Sequence, residues 1–90
     1  PEGCLHNAHM YYVVVGDGIP RDAVLTRLKE AGVQSLFHYV PLHSSPAGRR
    51  YGRTVGDLPV TDLAGSCLIR LPLWLGLRDT DVARIAGALE

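Results

Sequence analysis

The sequence is poor in the residue types on which several protein classes depend. It has only two cysteines, Cys4 and Cys67, whereas small secreted domains that rely on disulfides usually carry more. Its nine basic side chains balance nine acidic ones, so no net positive charge draws it to nucleic acid or anionic membranes. The longest apolar run, residues 10–15, is too short to span a bilayer, and no signal peptide is recognisable. We therefore expect a cytoplasmic protein that binds neither nucleic acid nor membranes.

The composition of the chain is that of an ordinary globular domain. Apolar residues make up 47% of the sequence and charged residues 20%. Ninety residues are enough for one domain with one core, so we treat residues 1–90 as a single domain. The chain begins with Pro1 and not with Met, which is expected of a fragment cut from a longer protein, and processing of the N-terminus is the alternative.

Apolar periodicity and turn residues predict a two-layer α+β domain in the order β-α-β-loop-α-β-α. Residues 9–15, HMYYVVV, are apolar on both faces and predict a central strand covered on each side. A helix is expected to begin at Pro20 and end at Gly32. The remaining predictions are a strand over 33–40, a loop over 41–59, a helix over 63–68 capped by Thr61 and Asp62, an extended segment over 69–75 and a last helix capped by Asp79 or Thr80. The sheet should be small and mostly antiparallel, with about three strands.

Reactive and rigid residues are concentrated in FHYVPLHSSPAGRRYG, residues 37–52. His38 lies on an apolar face of the predicted second strand, where a hydrogen-bonded core histidine is common. His43 follows Pro41, whose rigid turn presents the imidazole outward. The two histidines could converge on one ligand, either as donors to hydroxyl or phosphate oxygens or as proton carriers near neutral pH. The residues alone leave structural and ligand-binding roles equally open.

Three of the nine basic residues, Arg49, Arg50 and Arg53, lie within five positions of one another around Tyr51. Such a cluster suits a phosphate or pyrophosphate group. A solvated surface loop is the competing interpretation, and GRRYG lacks the pattern of a phosphate-binding P-loop.

The segment CLHNAH offers Cys4, His6 and His9 as zinc ligands. A structural zinc site usually needs four ligands and often a C-x-x-C pair, which this segment lacks. A zinc-stabilised domain is therefore an alternative that requires a fourth ligand from elsewhere in the chain. The serines form no G-x-S-x-G nucleophile motif.

Three segments taken together, HNAHMYYVV, FHYVPLHSSPAG and RLPLWLGL, resemble the C-terminal part of the DegT/DnrJ/EryC1/StrS family of nucleotide-sugar aminotransferases. The resemblance covers nearly all of the chain, and the string H-Y-x-P-L-H-x-x-P-x-G is its most specific part. The family implies the fold of the C-terminal domain of fold-type I pyridoxal-phosphate enzymes. It also implies transfer of an amino group from glutamate to the C4 ketone of a nucleotide-linked 4-keto-6-deoxy sugar.

The resemblance implies six substrate-binding residues: His38, Tyr39, His43, Arg49, Arg50 and Arg70. Either of the two adjacent arginines would reach the nucleotide diphosphate. Arg70, in RLPL, would contact a carboxylate such as that of the amino donor or form an interdomain salt bridge, and the two roles are equally supported. The family implies that pyridoxal phosphate is held mainly by an N-terminal domain and that two subunits share the active sites of a homodimer.

No residue is predicted to be catalytic, cofactor-binding or metal-binding. The only lysine, Lys29, looks like a solvated surface residue, whereas a Schiff-base lysine should be desolvated beside its cofactor. We therefore expect these ninety residues to be inactive by themselves. The alternative is a free-standing β-α-β module that binds a small anion or dimerises. A complete module should bury its apolar residues, whereas a severed domain should expose the patch that contacted its partner.

Overall fold

The computed structural model describes residues 2–90. Within that range, the elements follow the order β1 (Tyr11–Val14), α1 (Arg21–Glu30), β2 (Leu36–Phe37), a 3₁₀ turn (Leu42–Ser44), α2 (Pro46–Tyr51), α3 (Pro59–Cys67), β3 (Leu68–Leu71) and α4 (Asp79–Gly87). The strands form one antiparallel sheet in the order β1-β3-β2. The predicted α+β class and the small antiparallel sheet are confirmed. The 3₁₀ turn and α2 are additions to the predicted order, because they lie where a loop was expected.

Two of the helices, α1 and α4, cover one face of the sheet. The core is formed by Leu28 of α1, Ile85 of α4, Ile69 of β3 and Val33. Ile69 is directly paired with Val13 of β1, and directly paired residues in a sheet project to the same face. This face therefore buries Ile69, at the centre of the sheet, against the two helices.

The other side of the sheet, which we call the open face, carries Tyr12, Arg70 and Leu36 in one row across the three strands. Tyr12 is 49% exposed and Leu36 is 52% exposed. Apolar side chains of this size lie half in solvent, so the open face is only partly covered within residues 2–90.

β1 is an edge strand, and the prediction that it would be central and covered on both sides is wrong. β3 occupies the central position, and its Leu68 and Ile69 are buried. Tyr11 and Val14 of β1 are each 61% exposed. Apolar residues on both faces of a strand predict contact above and below the sheet, but they do not specify hydrogen-bonding partners on both edges.

The prediction for α1 is confirmed at both ends. Pro20 precedes the first helical residue, and Gly32 follows the helix with a φ of +71°. The N–H of Gly32 donates to Lys29 and the N–H of Val33 donates to Leu28. This pair of bonds is a Schellman motif, which glycine favours because it has no Cβ to oppose a positive φ.

The segments predicted for β2 and β3 are longer than the strands observed. β2 has two residues and not the eight of 33–40, while β3 ends at Leu71 instead of continuing to residue 75. Pro72 has no N–H with which to extend the ladder, and β3 begins directly after α3. β2 pairs with only two of the four residues of β3, Leu36 with Arg70 and Phe37 with Ile69, whereas β1 pairs with all four.

Two helix starts also differ from the prediction. α3 begins at Pro59 after the N-cap Leu58, because proline is favoured at the first helical position, so Thr61 and Asp62 lie inside its first turn. α4 has Arg78 as its N-cap, one residue before the predicted Asp79.

The molecule is more open than a compact domain of its length. Its radius of gyration is 15.8 Å, whereas a compact chain of this length would have about 12 Å. Within residues 2–90, no helix combines the length and apolarity needed to cross a membrane.

Candidate functional site

A proline-led turn sets the position of His43. Pro41 ends the extended segment after β2, and its carbonyl accepts hydrogen bonds from the N–H groups of Ser44 and Ser45 at 3.2 and 3.0 Å. These bonds close the 3₁₀ turn over Leu42–Ser44. His43 is the middle residue of this turn, so backbone geometry fixes the direction in which its side chain leaves the chain.

Ser45 connects the turn to α2. Its hydroxyl accepts a hydrogen bond from the N–H of Gly48 at 2.9 Å and donates one to the carbonyl of Leu42 at 2.8 Å. Ser45 is the N-cap of α2, and Pro46 takes the first helical position, where its missing N–H costs nothing. A Cβ at Gly48 would overlap the carbonyl oxygen of Leu42. The turn and the helix can therefore pack this closely only with glycine at position 48.

His43 contacts α3 through Asp62. Its Nε2 lies 2.9 Å from Oδ1 of Asp62, and the two side chains are 15% and 53% exposed. The same Nε2 has no hydrogen-bond partner of good geometry, so the carboxylate lies near the ring nitrogen but off the axis of a ring N–H. The contact is an ion pair when the imidazole is protonated.

An open groove of about 920 Å³, the α2 groove, runs beside α2. Its polar lining residues include His43, Arg49, Arg53, Thr54 and Thr61. Arg50 does not line this groove, because its guanidinium lies over the ring of Tyr51 at 5.1 Å from the centroid. The structure thus brings His43 and Arg49 together, adds Arg53 and directs Arg50 elsewhere.

A second groove of about 360 Å³, the β3 groove, lies at the open face of the sheet. The predicted residues His38, Tyr39 and Arg70 all line it, together with Leu36. The Arg70 guanidinium lies over the Tyr39 ring at 5.4 Å from the centroid. The His38 ring meets Tyr39 edge-on, with 4.9 Å between centroids. Tyr39 therefore contacts both of the other predicted residues here, His38 and Arg70.

Two buried nitrogen atoms that belong to residues of the β3 groove, Nδ1 of His38 and Nε of Arg70, have no hydrogen-bond partner in residues 2–90. Buried polar atoms usually have partners, and an arginine nitrogen can only donate. A group that supplies acceptor oxygens would satisfy the Arg70 nitrogen, and a carboxylate is the best match for a guanidinium.

Five of the six predicted residues divide between two places, and the sixth, Arg50, lines neither groove. His38, Tyr39 and Arg70 line the β3 groove, and two further ones, His43 and Arg49, line the α2 groove. Val40 and Pro41 connect the two sets, because they follow Tyr39 and lead into the turn that carries His43.

Sequence reasoning missed Arg21, which ties three elements together. From the start of α1, its Nη1 donates a hydrogen bond of 2.7 Å to the carbonyl of Gly65 in α3. Its guanidinium also lies over the ring of Phe37 in β2, 5.1 Å from the centroid. The two partners are distant in sequence, so no local pattern could have indicated these contacts.

The zinc alternative gains no ligand set from the structure. His6 accepts a hydrogen bond from the N–H of Ala8 through Nδ1, and the His9 ring contacts Asn7. Across the part of the chain that the structure describes, no three His, Cys, Asp or Glu side chains are grouped as metal ligands would be. Cys4 and Cys67 are free thiols.

Comparison with known proteins identifies the family of this fold. Residues 2–90 match the model of the DegT/DnrJ/EryC1/StrS aminotransferase family. The fold is also similar to the crystal structure of a DegT DnrJ EryC1 StrS aminotransferase from Brucella abortus, with 28% sequence identity and a TM-score of 0.74. That match covers 89% of this chain but only 21% of the Brucella chain. The chain therefore spans about a fifth of that protein, and the resemblance in the sequence motifs is confirmed at the level of the family.

Proposed function

Because the chain belongs to the DegT/DnrJ/EryC1/StrS aminotransferase family, we propose that it forms the substrate-lining C-terminal domain of a pyridoxal-phosphate-dependent sugar aminotransferase. The reaction would transfer an amino group from glutamate to the C4 ketone of a dTDP-4-keto-6-deoxy sugar, the reaction of a dTDP-4-amino-4,6-dideoxygalactose transaminase. The whole protein would be a cytoplasmic homodimer. The observation that carries the proposal is that the segment His38–Gly48 contributes residues to two grooves, and that each groove is lined by at least one arginine.

The β3 groove suits the carboxylate of the amino donor. Arg70 is held over Tyr39, and its Nε is buried without a partner. A carboxylate would supply two acceptor oxygens in the plane of the guanidinium, and His38 could donate or accept beside it. The alternative role of Arg70, a salt bridge to another domain, uses the same chemistry with a protein carboxylate.

The α2 groove suits the nucleotide diphosphate. Arg49 and Arg53 supply two positive charges at its edge, and two threonine hydroxyls add further donors. His43 would then face the sugar or the cofactor from the 3₁₀ turn. Arg50 is the weaker candidate for diphosphate binding, because its guanidinium is stacked on Tyr51.

Pyridoxal phosphate supplies the electron sink for transamination when it is bound. The residues of this chain do not fit its attachment. Lys29 is exposed at the end of α1, whereas a Schiff-base lysine must be desolvated. We therefore assign cofactor binding to the N-terminal domain that the family implies and expect no transaminase activity from residues 1–90 alone.

The test is substitution of His43 in the native protein, with kinetics on dTDP-4-keto-6-deoxyglucose and glutamate. We expect His43→Ala to raise the KM for the sugar about tenfold, because losing a substrate contact worth about 1.4 kcal/mol weakens binding tenfold. Arg49→Ala should raise the same KM through loss of a charge-assisted contact. The matched control is Arg50→Ala, which removes an equal charge one residue away and should leave the KM within about twofold. An unchanged KM in the His43 and Arg49 variants would contradict the proposal.

The free-standing module is the less well supported alternative. A complete module should bury its apolar side chains, yet large apolar residues such as Leu42 and Tyr39 are 81% and 69% exposed. Exposed apolar surface on this scale favours a domain that packs against further protein.

A further inference from the structure

Arg21 occupies an unusual position for a residue at the start of a helix. Its side chain is only 20% exposed, although its ion-pair partner Asp22 is 83% exposed. The guanidinium lies between Phe37 of β2 and the carbonyl of Gly65 in α3. A flat guanidinium can stack on an aromatic ring and donate to a carbonyl in its own plane at the same time, which a lysine ammonium cannot do.

Gly65, the acceptor of this hydrogen bond, is packed directly against Pro41. A Cβ at position 65 would lie 2.7 Å from Cγ of Pro41, which is too short for a carbon–carbon contact, so α3 and Pro41 approach as closely as a glycine permits. Pro41 in turn accepts the hydrogen bonds that close the 3₁₀ turn. The position of α3 therefore limits where the turn can lie.

A second contact joins α3 to the same turn. Asp62 lies one helical turn before Gly65 and is 2.9 Å from Nε2 of His43. α3 thus touches Pro41, the residue before the turn, through Gly65, and the His43 ring through Asp62. Arg21 holds α3 by a hydrogen bond to its backbone.

We propose that Arg21 is a positioning residue that acts through α3 to fix the place of the His43 side chain. The hydrogen bond to Gly65 and the stack on Phe37 set α3 relative to the sheet, and α3 sets the turn. The role of His43 towards substrate rests on the proposed function, but its placement by Arg21 does not.

The test compares Arg21→Met with Arg27→Met in the native protein. Arg27 is also on α1 and also donates a hydrogen bond of 2.7 Å to a distant carbonyl, that of Leu89, but it does not contact α3. We expect Arg21→Met to raise the KM for dTDP-4-keto-6-deoxyglucose about tenfold and Arg27→Met to leave it within about twofold. In a His43→Ala background, Arg21→Met should add less than about twofold, because residues that act through one another are not additive.

Additive effects of the Arg21 and His43 substitutions, or an equal rise in KM for Arg27→Met, would overturn the proposal. If Arg21→Met does not fold, Arg21→Lys keeps the positive charge but cannot stack on Phe37 and donate to the Gly65 carbonyl at the same time; it should raise the KM without further effect in the His43→Ala background.

A readout without substrate separates this proposal from the proposed function. With the protein labelled by ¹³C-histidine, the His43 ring signal, assigned by its loss in His43→Ala, should shift in Arg21→Met and stay in place in Arg27→Met. If His43→Ala leaves the KM unchanged but the signal shifts, the proposed function fails while the positioning by Arg21 stands. An unmoved signal in Arg21→Met overturns the positioning itself.

Discussion

Asp81 makes the densest set of side-chain hydrogen bonds at any helix start in residues 2–90. Its Oδ2 accepts from the Arg78 backbone N–H at 3.2 Å and from Arg78 Nε at 2.9 Å, and its Oδ1 accepts from Nη2 at 3.1 Å. The side-chain hydrogen bonds of Arg78, followed by its backbone N–H, lower the pKa of the Asp81 carboxyl. The carboxylate thereby holds the N-cap residue of α4 in place.

The lowered pKa has a defined consequence for stability. Because the folded pKa of Asp81 lies below the ordinary value of about 3.9, its contribution is present above that value and is lost as the pH falls through the folded pKa. At pH 7 we expect Asp81→Asn to speed hydrogen exchange at the N–H of Val82, which donates to the Arg78 carbonyl at 3.0 Å. The effect should shrink as the pH falls below about 3.9.

Asp79→Asn is the matched control for this prediction. Asp79 lies in the same first turn and gains the same favourable interaction with the helix dipole, but it makes no side-chain contact with Arg78. An equal effect of both substitutions at Val82 would show that the helix dipole, and not the Arg78 contact, stabilises this turn.

Single residues also show where sequence reasoning stops. His38, Tyr39 and Arg70 were selected from motifs that lie far apart in sequence, and they line one groove. The predicted substrate-binding set includes Arg50 and omits Arg53, because a cluster in the linear sequence does not reveal which side chains line a groove. Arg21 gave no signal at all, since its partners are fixed only by tertiary packing.

The most predictable element was the helix whose two ends are marked by proline and glycine. The helix between Pro20 and Gly32 was placed correctly because both ends carry residues whose backbone preferences match the observed geometry. α2 was missed even though Ser45-Pro46 is a typical N-cap and first-position pair. Six residues without an apolar stripe give no periodic signal. The capping pair was therefore the only sequence feature that could have indicated this helix.

The packing of α2 on the 3₁₀ turn leads to a prediction about Gly48. A methyl group at position 48 would overlap the Leu42 carbonyl oxygen, and overpacking of this kind destabilises structure by about 1–3 kcal/mol. We expect Gly48→Ala to reduce hydrogen-exchange protection at the N–H of Arg49, which bonds to the Ser45 carbonyl, and at the N–H of Gly52, which bonds to the Gly48 carbonyl.

Gly87→Ala is the matched control. It makes the same change in α4, where no atom lies within 4 Å of the new Cβ. It should leave protection unchanged or raise it slightly, because alanine favours a helix. Unchanged hydrogen exchange in Gly48→Ala would show that α2 stays formed without its close packing on the 3₁₀ turn.

At the scale of the whole molecule, the sequence indicated which strand faces are apolar but not what they contact. Residues 9–15 were predicted to be covered on both sides, and within residues 2–90 only the face with α1 and α4 is covered. Apolar periodicity reports the environment that a face requires. It does not say whether the covering element belongs to the same segment of chain, and this is why β1 was wrongly placed at the centre of the sheet.

The open face provides the last prediction, which rests on the proposed function. Tyr12 and Leu36 flank Arg70 on this face and are 49% and 52% exposed, while Val82 on α4 is 49% exposed. If further protein packs over the β3 groove, Tyr12 and Leu36 should be protected from hydroxyl radicals in the native protein. Their protection factors, corrected for the intrinsic reactivity of each residue type, should be severalfold above that of Val82. Val82 is the control because its exposure here is the same and its helix lies on the opposite side of the sheet. Equal protection factors at all three positions would mean that the open face meets solvent in the native protein, and the free-standing module would then be the better account of the exposed apolar residues.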